Sequence, residues 1–301
     1  MRKRIIAIIA IGLIACLTLV GLVSCKDTRS GYPDGDKYSV GNGEYSASSV
    51  RAINIAWTAG SATITASSEY TSVQISEVNS KSGEDWALHR YLDPDGTLWI
   101  KPVSASVDED EIPSSGEWTT KTLTITMPEI SLASFYVENH GATILATNIQ
   151  AGSLETSNTG YKTTVTNSRI TGDVKMNTSG FSGDISFGGE ATGNVNISTP
   201  YGDATFSTSV VPQSIEIHGR GLVQATIPET TEFTVTYYAT TSFTYSNEFS
   251  GMVETSNPEG YGTEYTTKKL GSGAIPIKLI CATRQIGDKN NTKLFKYTPA
   301  N

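Results

Sequence analysis

Asp173, Asp184 and Asp203 recur in neighbouring stretches of the chain, each just before a short alternating apolar run. Carboxylates repeated in this way could serve acid–base cleavage of a glycan. The same region holds Ser182 in "GFSGD" (180–184), a partial likeness to the Gly-x-Ser-x-Gly nucleophile elbow. Turn chemistry explains both features more simply. Asp173 aligns with Asn194 and Asp184 with Asp203, and Asp and Asn at such places cap backbone N–H groups. Ser182 sits in a repeat with no helix after it, which an elbow requires, so it reads as a turn residue. A β-helix polysaccharide lyase or hydrolase is therefore the minor reading, and no catalytic residue is assigned.

Metal chemistry finds little to work with. The chain has 3 histidines, His89, His140 and His218, with no His-x-x-x-His spacing and no cysteine pair beside them. Asp108 to Glu111 ("DEDE") is the densest acidic run, yet it lacks the glycine and spaced oxygen ligands of a calcium loop. It reads as a solvated loop. No metal and no cofactor are expected.

Aromatic side chains are the remaining candidates. Tyr237, Tyr238, Phe243, Tyr245 and Phe249 cluster in "FTVTYYATTSFTYSNEF", while Trp57, Trp86, Trp99 and Trp118 are scattered earlier. Aromatic rings are enriched in binding patches. The cluster alternates as strands do, so about half its rings should point inward. As a group these five residues are the expected ligand-binding surface.

The N-terminus supplies an address. Arg2, Lys3 and Arg4 precede an apolar run from Ile5 to Val23, the pattern of a secretory signal. The run is nearly long enough for a transmembrane anchor. "LVSC" (22–25) favours cleavage, because it resembles the bacterial lipobox, in which a signal peptidase cuts before a lipidated cysteine. Cys25 is thus the expected lipidation site, with residues 1–24 as signal peptide, and Lys26 follows it. Cys16 would leave with the leader, so Cys281 would have no intramolecular partner, and it reads as a small buried hydrophobe. Cleavage removes three of the 22 Lys+Arg and none of the 30 Asp+Glu, leaving 19 against 30, a net charge of −11. So acidic a surface argues against nucleic acid or anionic lipid as a partner.

Residues 25–46 are rich in Gly, Ser and Asp without apolar period, and read as a flexible tether. From Val50 the chain alternates with period two. "INIAW", "ATITA", "VQIS", "TLWIK" and "TLTITM" are strands by composition and pattern, and Asp95-Gly96 marks a hairpin. No amphipathic helix follows the leader, so the class is all-β.

Two apolar series then run in step. Val137, Leu154, Val174, Val195 and Ile215 form one, and Ile144, Val165, Ile185, Ala204 and Val223 the other. Each series recurs about every 20 residues, the scale of a stacked repeat. Gly152, Gly172 and Gly193 precede strands of the first series, and Gly160, Gly180 and Gly202 those of the second. A fixed period with two strands per unit predicts a single parallel β-solenoid with rungs of about 20 residues. The glycines are expected at corners that need positive φ. The competing architecture is an antiparallel sandwich. Residues 47–130 read as an irregular or capping part of the stack, 131–288 as the repeats, and 289–301 as a C-terminal tail that caps the last rung or hangs free.

"INIAWTAGSATITASSEYTSVQISE" (53–77), "DPDGTLWIKP" (93–102), "KTLTITMP" (121–128) and the glycine-punctuated rungs resemble the bacterial putative-adhesin β-strand-repeat family, over roughly residues 50–285. That resemblance implies a lipoprotein member and a cell-surface role, but no catalytic or binding residues to carry over. The expectation is a non-catalytic module, lipid-anchored on the outer side of a cell membrane, that meets a cell-wall, glycan or protein partner. An envelope-stress lipoprotein contacting a membrane partner is the alternative within that class.

Overall fold

A computed structural model describes residues 32–58, 60–108, 111–112, 120–141, 143–181, 183–239, 243–254, 264–281 and 290–297. The fold is all-β. All 24 described strands join one large, mainly parallel sheet that does not close into a barrel.

Alternation explains the strands. Lys121–Met127, for example, buries every second side chain, and Ala62–Ala66 does the same. Across residues 131–227 the pairings are parallel, and each strand faces the equivalent strand one repeat further along the chain. Val174 lies opposite Val195 and Val195 opposite Ile215 on one face. Ile185 lies opposite Ala204 and Ala204 opposite Val223 on the other. These side chains are buried together in one core. The antiparallel sandwich is not what this span forms.

Both apolar series slip by two residues at one member. Leu154 pairs with Phe135, whereas Val137 lies opposite Thr156. Ile185 pairs with Thr163, whereas Val165 lies opposite Phe187. Thr156 and Thr163 are themselves fully buried. A polar residue therefore stands in each inward row where the sequence pattern looks for an apolar one.

The corner glycines also serve a different purpose from the one expected. Gly152, Gly172, Gly180, Gly193 and Gly202 do not have positive φ. A Cβ on Gly172 would stand 2.4 Å from the Gly152 carbonyl oxygen, and one on Gly180 2.1 Å from that of Gly160. Neighbouring backbones come too close for a side chain. Within residues 131–227 the left-handed region is taken instead by Asn148 and Asn167, at 60° and 51°, with Gly189 at φ 157°, and asparagine tolerates that region.

At both ends the spatial order departs from the chain order. Ala52–Thr58 lies between Thr97–Lys101 and Ser131–His140, with Ala62–Ala66 between Lys121–Met127 and Thr143–Thr147. Ile275–Cys281 likewise slots between Ser214–Gly219 and Phe233–Ala239. Asn290–Lys296, in the segment read as a tail, pairs with Leu222–Ile227 on one side and Phe243–Asn247 on the other. Antiparallel strands finish each end, Ser72–Asn79 on Lys121–Met127 and Glu264–Leu270 on Phe233–Ala239. The expected hairpin is present, with Leu92 opposite Leu98 and Gly96 at φ 86°.

Part of the stretch read as tether is docked. Ser39–Val40 pairs with His89–Arg90, and Gly43–Ser46 with Ser72–Ile75. The Arg90 guanidinium fixes it, donating to Gly41 O at 2.9 Å, Asn42 O at 2.8 Å and Tyr45 Oη at 3.2 Å. Gly43 leaves room for that side chain, since a Cβ there would lie 2.0 Å from Arg90 Nε. Residues 1–31, including Cys25 and the leader, lie outside the described residues.

Candidate functional site

The three aspartates of the repeats bind backbone. Asp184 Oδ1 accepts a hydrogen bond from Asp203 N at 2.9 Å, and Asp203 Oδ1 accepts one from Leu222 N at 2.7 Å. Asp173 Oδ1 accepts from both Asn194 N and Asn194 Nδ2, at 2.8 and 3.0 Å, and Asn194 Oδ1 accepts from Ser214 Oγ at 2.8 Å. Each side chain thus holds a residue one repeat further on, and the three aspartates satisfy backbone donors that turns leave unpaired. Ser182, Glu109 and Asp110 lie outside the described residues.

The histidines stand apart from one another. His140 Nε2 is 3.0 Å from Glu138 Oε1 and largely exposed. His218 Nε2 is 2.6 Å from Glu216 Oε1, and Lys278 Nζ approaches the same oxygen at 3.2 Å. The His218 hydrogen bond, followed by that of Lys278, holds the Glu216 carboxyl below its usual range. His89 is buried with Nδ1 2.9 Å from Ala87 O, and that burial lowers its pKa. Among the described residues no group of His, Cys, Asp and Glu is placed to hold a metal ion.

The five aromatics proposed as a ligand surface do not share one environment. Tyr237 is fully buried. Phe249 is 6% exposed and meets Phe233 edge-on, ring centroids 5.0 Å apart. Tyr238 is part-buried, with the Lys278 ammonium 5.5 Å from its ring centre. Phe243 and Tyr245 belong to a strand paired with Asn290–Lys296, but their side chains lie outside the described ones.

A different set of rings is exposed. Tyr161, Phe181 and Tyr201 are 67%, 80% and 37% exposed, and they lie in the corresponding turns of three successive repeats, with Tyr201 one residue nearer its preceding strand than the other two. The rings of Phe181 and Tyr201 lie 4.9 Å apart at 36°. Their corner is built from inside by small polar side chains. Asn158 Oδ1 accepts from Gly160 N at 2.9 Å, Thr178 Oγ1 from Gly180 N at 3.4 Å, and Thr199 Oγ1 from Gly202 N at 3.2 Å. Asn158 and Thr178 are a register pair, and Thr199 is the residue after Ser198, which pairs with Asn177. These bonds fix the turn while each ring stands outward just beyond it. Core packing gives no reason for an outward phenylalanine, so this row is a candidate contact surface.

No family model matches the chain, and no curated protein matches it. Two solved structures are similar to it. One is a putative cell adhesion protein from Clostridium sporogenes, 12% identical, covering 87% of this chain and 100% of its own, with a TM-score of 0.33. The other is a putative adhesin from Parabacteroides distasonis, also 12% identical, covering 85% of this chain and 97% of its own, with a TM-score of 0.25.

Proposed function

We propose that this chain is a parallel β-solenoid with rungs of about 20 residues, held by lipid on Cys25 at the outer side of a cell membrane, where it acts by binding rather than turnover. The parallel registers, each one repeat apart, support the rungs, and "LVSC" at 22–25 supports the anchor. The role is adhesin-like: the module presents an exposed corner to a cell-wall, glycan or protein partner.

One observation carries the reading. Three aromatic rings stand outward in the corresponding turns of successive repeats, and two of them lie against each other at the surface. A row of rings along the stack suits an extended partner laid across successive rungs, with aromatic anchors at its centre. Tyr238, on another strand, stays a secondary candidate for the same role.

The test is sedimentation of the full-length protein with insoluble cell-wall material and with immobilised extracellular matrix. Tyr161→Ser, Phe181→Ser and Tyr201→Ser combined should abolish retention while the thermal midpoint holds. Equal retention of the variant and the parent, or none of either, defeats the proposal. Mass spectrometry of the mature N-terminus checks the anchor separately, and an uncut leader with unmodified Cys25 refutes that part.

A further inference from the structure

A cleft of about 420 Å³ opens where residues 32–38 fold back on the 89–101 hairpin. Its walls are aromatic. The Tyr32 and Tyr38 ring centres are 4.5 Å apart, and those of Tyr38 and Tyr91 are 5.5 Å apart. Tyr91 and Trp99 are cross-strand partners in the hairpin. Leu98 and Ile100 on the same strand are fully buried, so Trp99 faces away from the core. Trp99 is held in place, since its Nε1 donates to Asp93 Oδ2 at 3.0 Å. Asp93 also accepts from the backbone of Asp95 and Thr97, and so positions the ring. A volume in the range of about 300–1,000 Å³, apolar walls and a few polar groups are the marks of a small-molecule site.

The lining discriminates among ligand classes. Clustered rings can cage a cation, but the Lys101 ammonium already stands 5.6 Å from the Tyr32 ring centre and 5.8 Å from that of Trp99. An anion would meet Asp34, Asp93 and Asp95 against Lys37 and Lys101. Of these, Lys37 is engaged with Asp34 at 3.1 Å. A neutral polyhydroxyl ring meets neither obstacle. Its C–H faces lie on the aromatic walls, while its hydroxyl groups accept from an ammonium and donate to a carboxylate. Lys101 suits that role because it is part-buried and has no ion pair with a carboxylate among the described residues.

We infer that Tyr32, Tyr38, Tyr91 and Trp99 form a stacking site for a neutral saccharide, with Lys101 as donor and Asp95 as acceptor at its rim. This site is separate from the Tyr161–Phe181–Tyr201 corner, and it gives the chain a small-sugar pocket in addition to an extended contact surface.

Calorimetric titration of the full-length protein in a sugar-free detergent tests the inference, with cellobiose, chitobiose and lactose as probes and with choline and glucuronate as charged controls. At least one neutral disaccharide should bind, and more tightly than either control. Tyr91→Ala and Lys101→Met should each weaken it by about tenfold, the size of one lost ring or charged contact. Phe181→Ser should leave it unchanged, which separates this site from the corner. Lys101→Met keeps the apolar stem, so it carries the test even if Tyr91→Ala unfolds. The inference is overturned by no saccharide binding, by choline or glucuronate binding more tightly, or by saccharide binding that survives Lys101→Met.

Discussion

Lys121 and Glu77 form an ion pair inside the N-terminal end of the sheet, Nζ to Oε2 at 2.9 Å, with the lysine side chain wholly buried. The ammonium also donates to Trp86 O at 2.9 Å and lies 4.9 Å from the Trp57 ring centre. Burial, opposed by Glu77, lowers its pKa from the usual lysine value. Removing one partner strands a buried charge, so Glu77→Gln should cost about 3–5 kcal/mol. Replacing both, Glu77→Leu with Lys121→Met, should cost much less. Urea unfolding of the three variants measures the difference, and equal losses would show that the pair is not coupled.

His89 sets an acid limit on stability. Its folded pKa is lowered from 6.5 chiefly by burial; the Ala87 carbonyl, Asp85 and Glu77 oppose this, and Lys121 adds to it. Between the folded value and 6.5 the unfolded chain binds the extra proton, so stability rises with pH in that window and falls as pH drops through it. The expected result is a thermal midpoint that declines below about pH 6.5, with a shallower slope in His89→Gln. An unchanged slope in the variant would place the acid sensitivity elsewhere.

The glycines separate close approach from backbone conformation. A Cβ on Gly193 would lie 2.3 Å from the Gly172 carbonyl carbon, whereas one on Gly188 meets nothing within 4 Å. Gly193→Ala should destabilise by about 1–3 kcal/mol, as overpacking does. Gly188→Ala should be neutral or slightly stabilising, by up to about 1 kcal/mol, because it restricts the unfolded chain. Chemical denaturation of both variants decides, and equal effects would contradict the close-approach account.

The all-β class, the parallel pairing and the hairpin were legible because each follows from local alternation and turn chemistry. The register was legible only to within two residues. Thr156 and Thr163 occupy inward positions beside Val137 and Ile144, and a pattern built on apolar residues steps past them to the next inward place. The slip keeps the face, since two residues is one full strand period. Which strand lies beside which at the two ends was not legible. Nothing local in Ile275–Cys281 says that it will sit between Ser214–Gly219 and Phe233–Ala239. The aromatic cluster at 237–249 drew notice by density, but Tyr237 and Phe249 are core residues. The exposed row was hidden because its members are single rings in separate turns. The cleft was hidden because Tyr32 and Trp99 come to line one space only through tertiary packing.

Cys281 should be chemically quiet. It is fully buried opposite Gly219, with Sγ 3.1 Å from Gly221 O. A structural thiol buried in this way is out of reach of reagents. Thiol reagents should modify it only at the rate at which the C-terminal strands open, which rises with denaturant. Rapid modification under native conditions would show that Ile275–Cys281 is not stably inserted.

Two phenylalanines decide whether loss of binding can be read as loss of a surface. Phe187 is 1% exposed and stacked on Phe206 with ring centres 5.4 Å apart, so Phe187→Ala should cost about 3–5 kcal/mol. Phe181 is six residues earlier and 80% exposed, so Phe181→Ser should change stability by no more than about 0.5 kcal/mol. Retention on a partner should follow the opposite order when both proteins are held folded at low temperature, lost with Phe181→Ser and kept with Phe187→Ala. If Phe181→Ser proves as destabilising as Phe187→Ala, the outward ring is part of the packing after all, and the row at 161, 181 and 201 loses its claim as a contact surface.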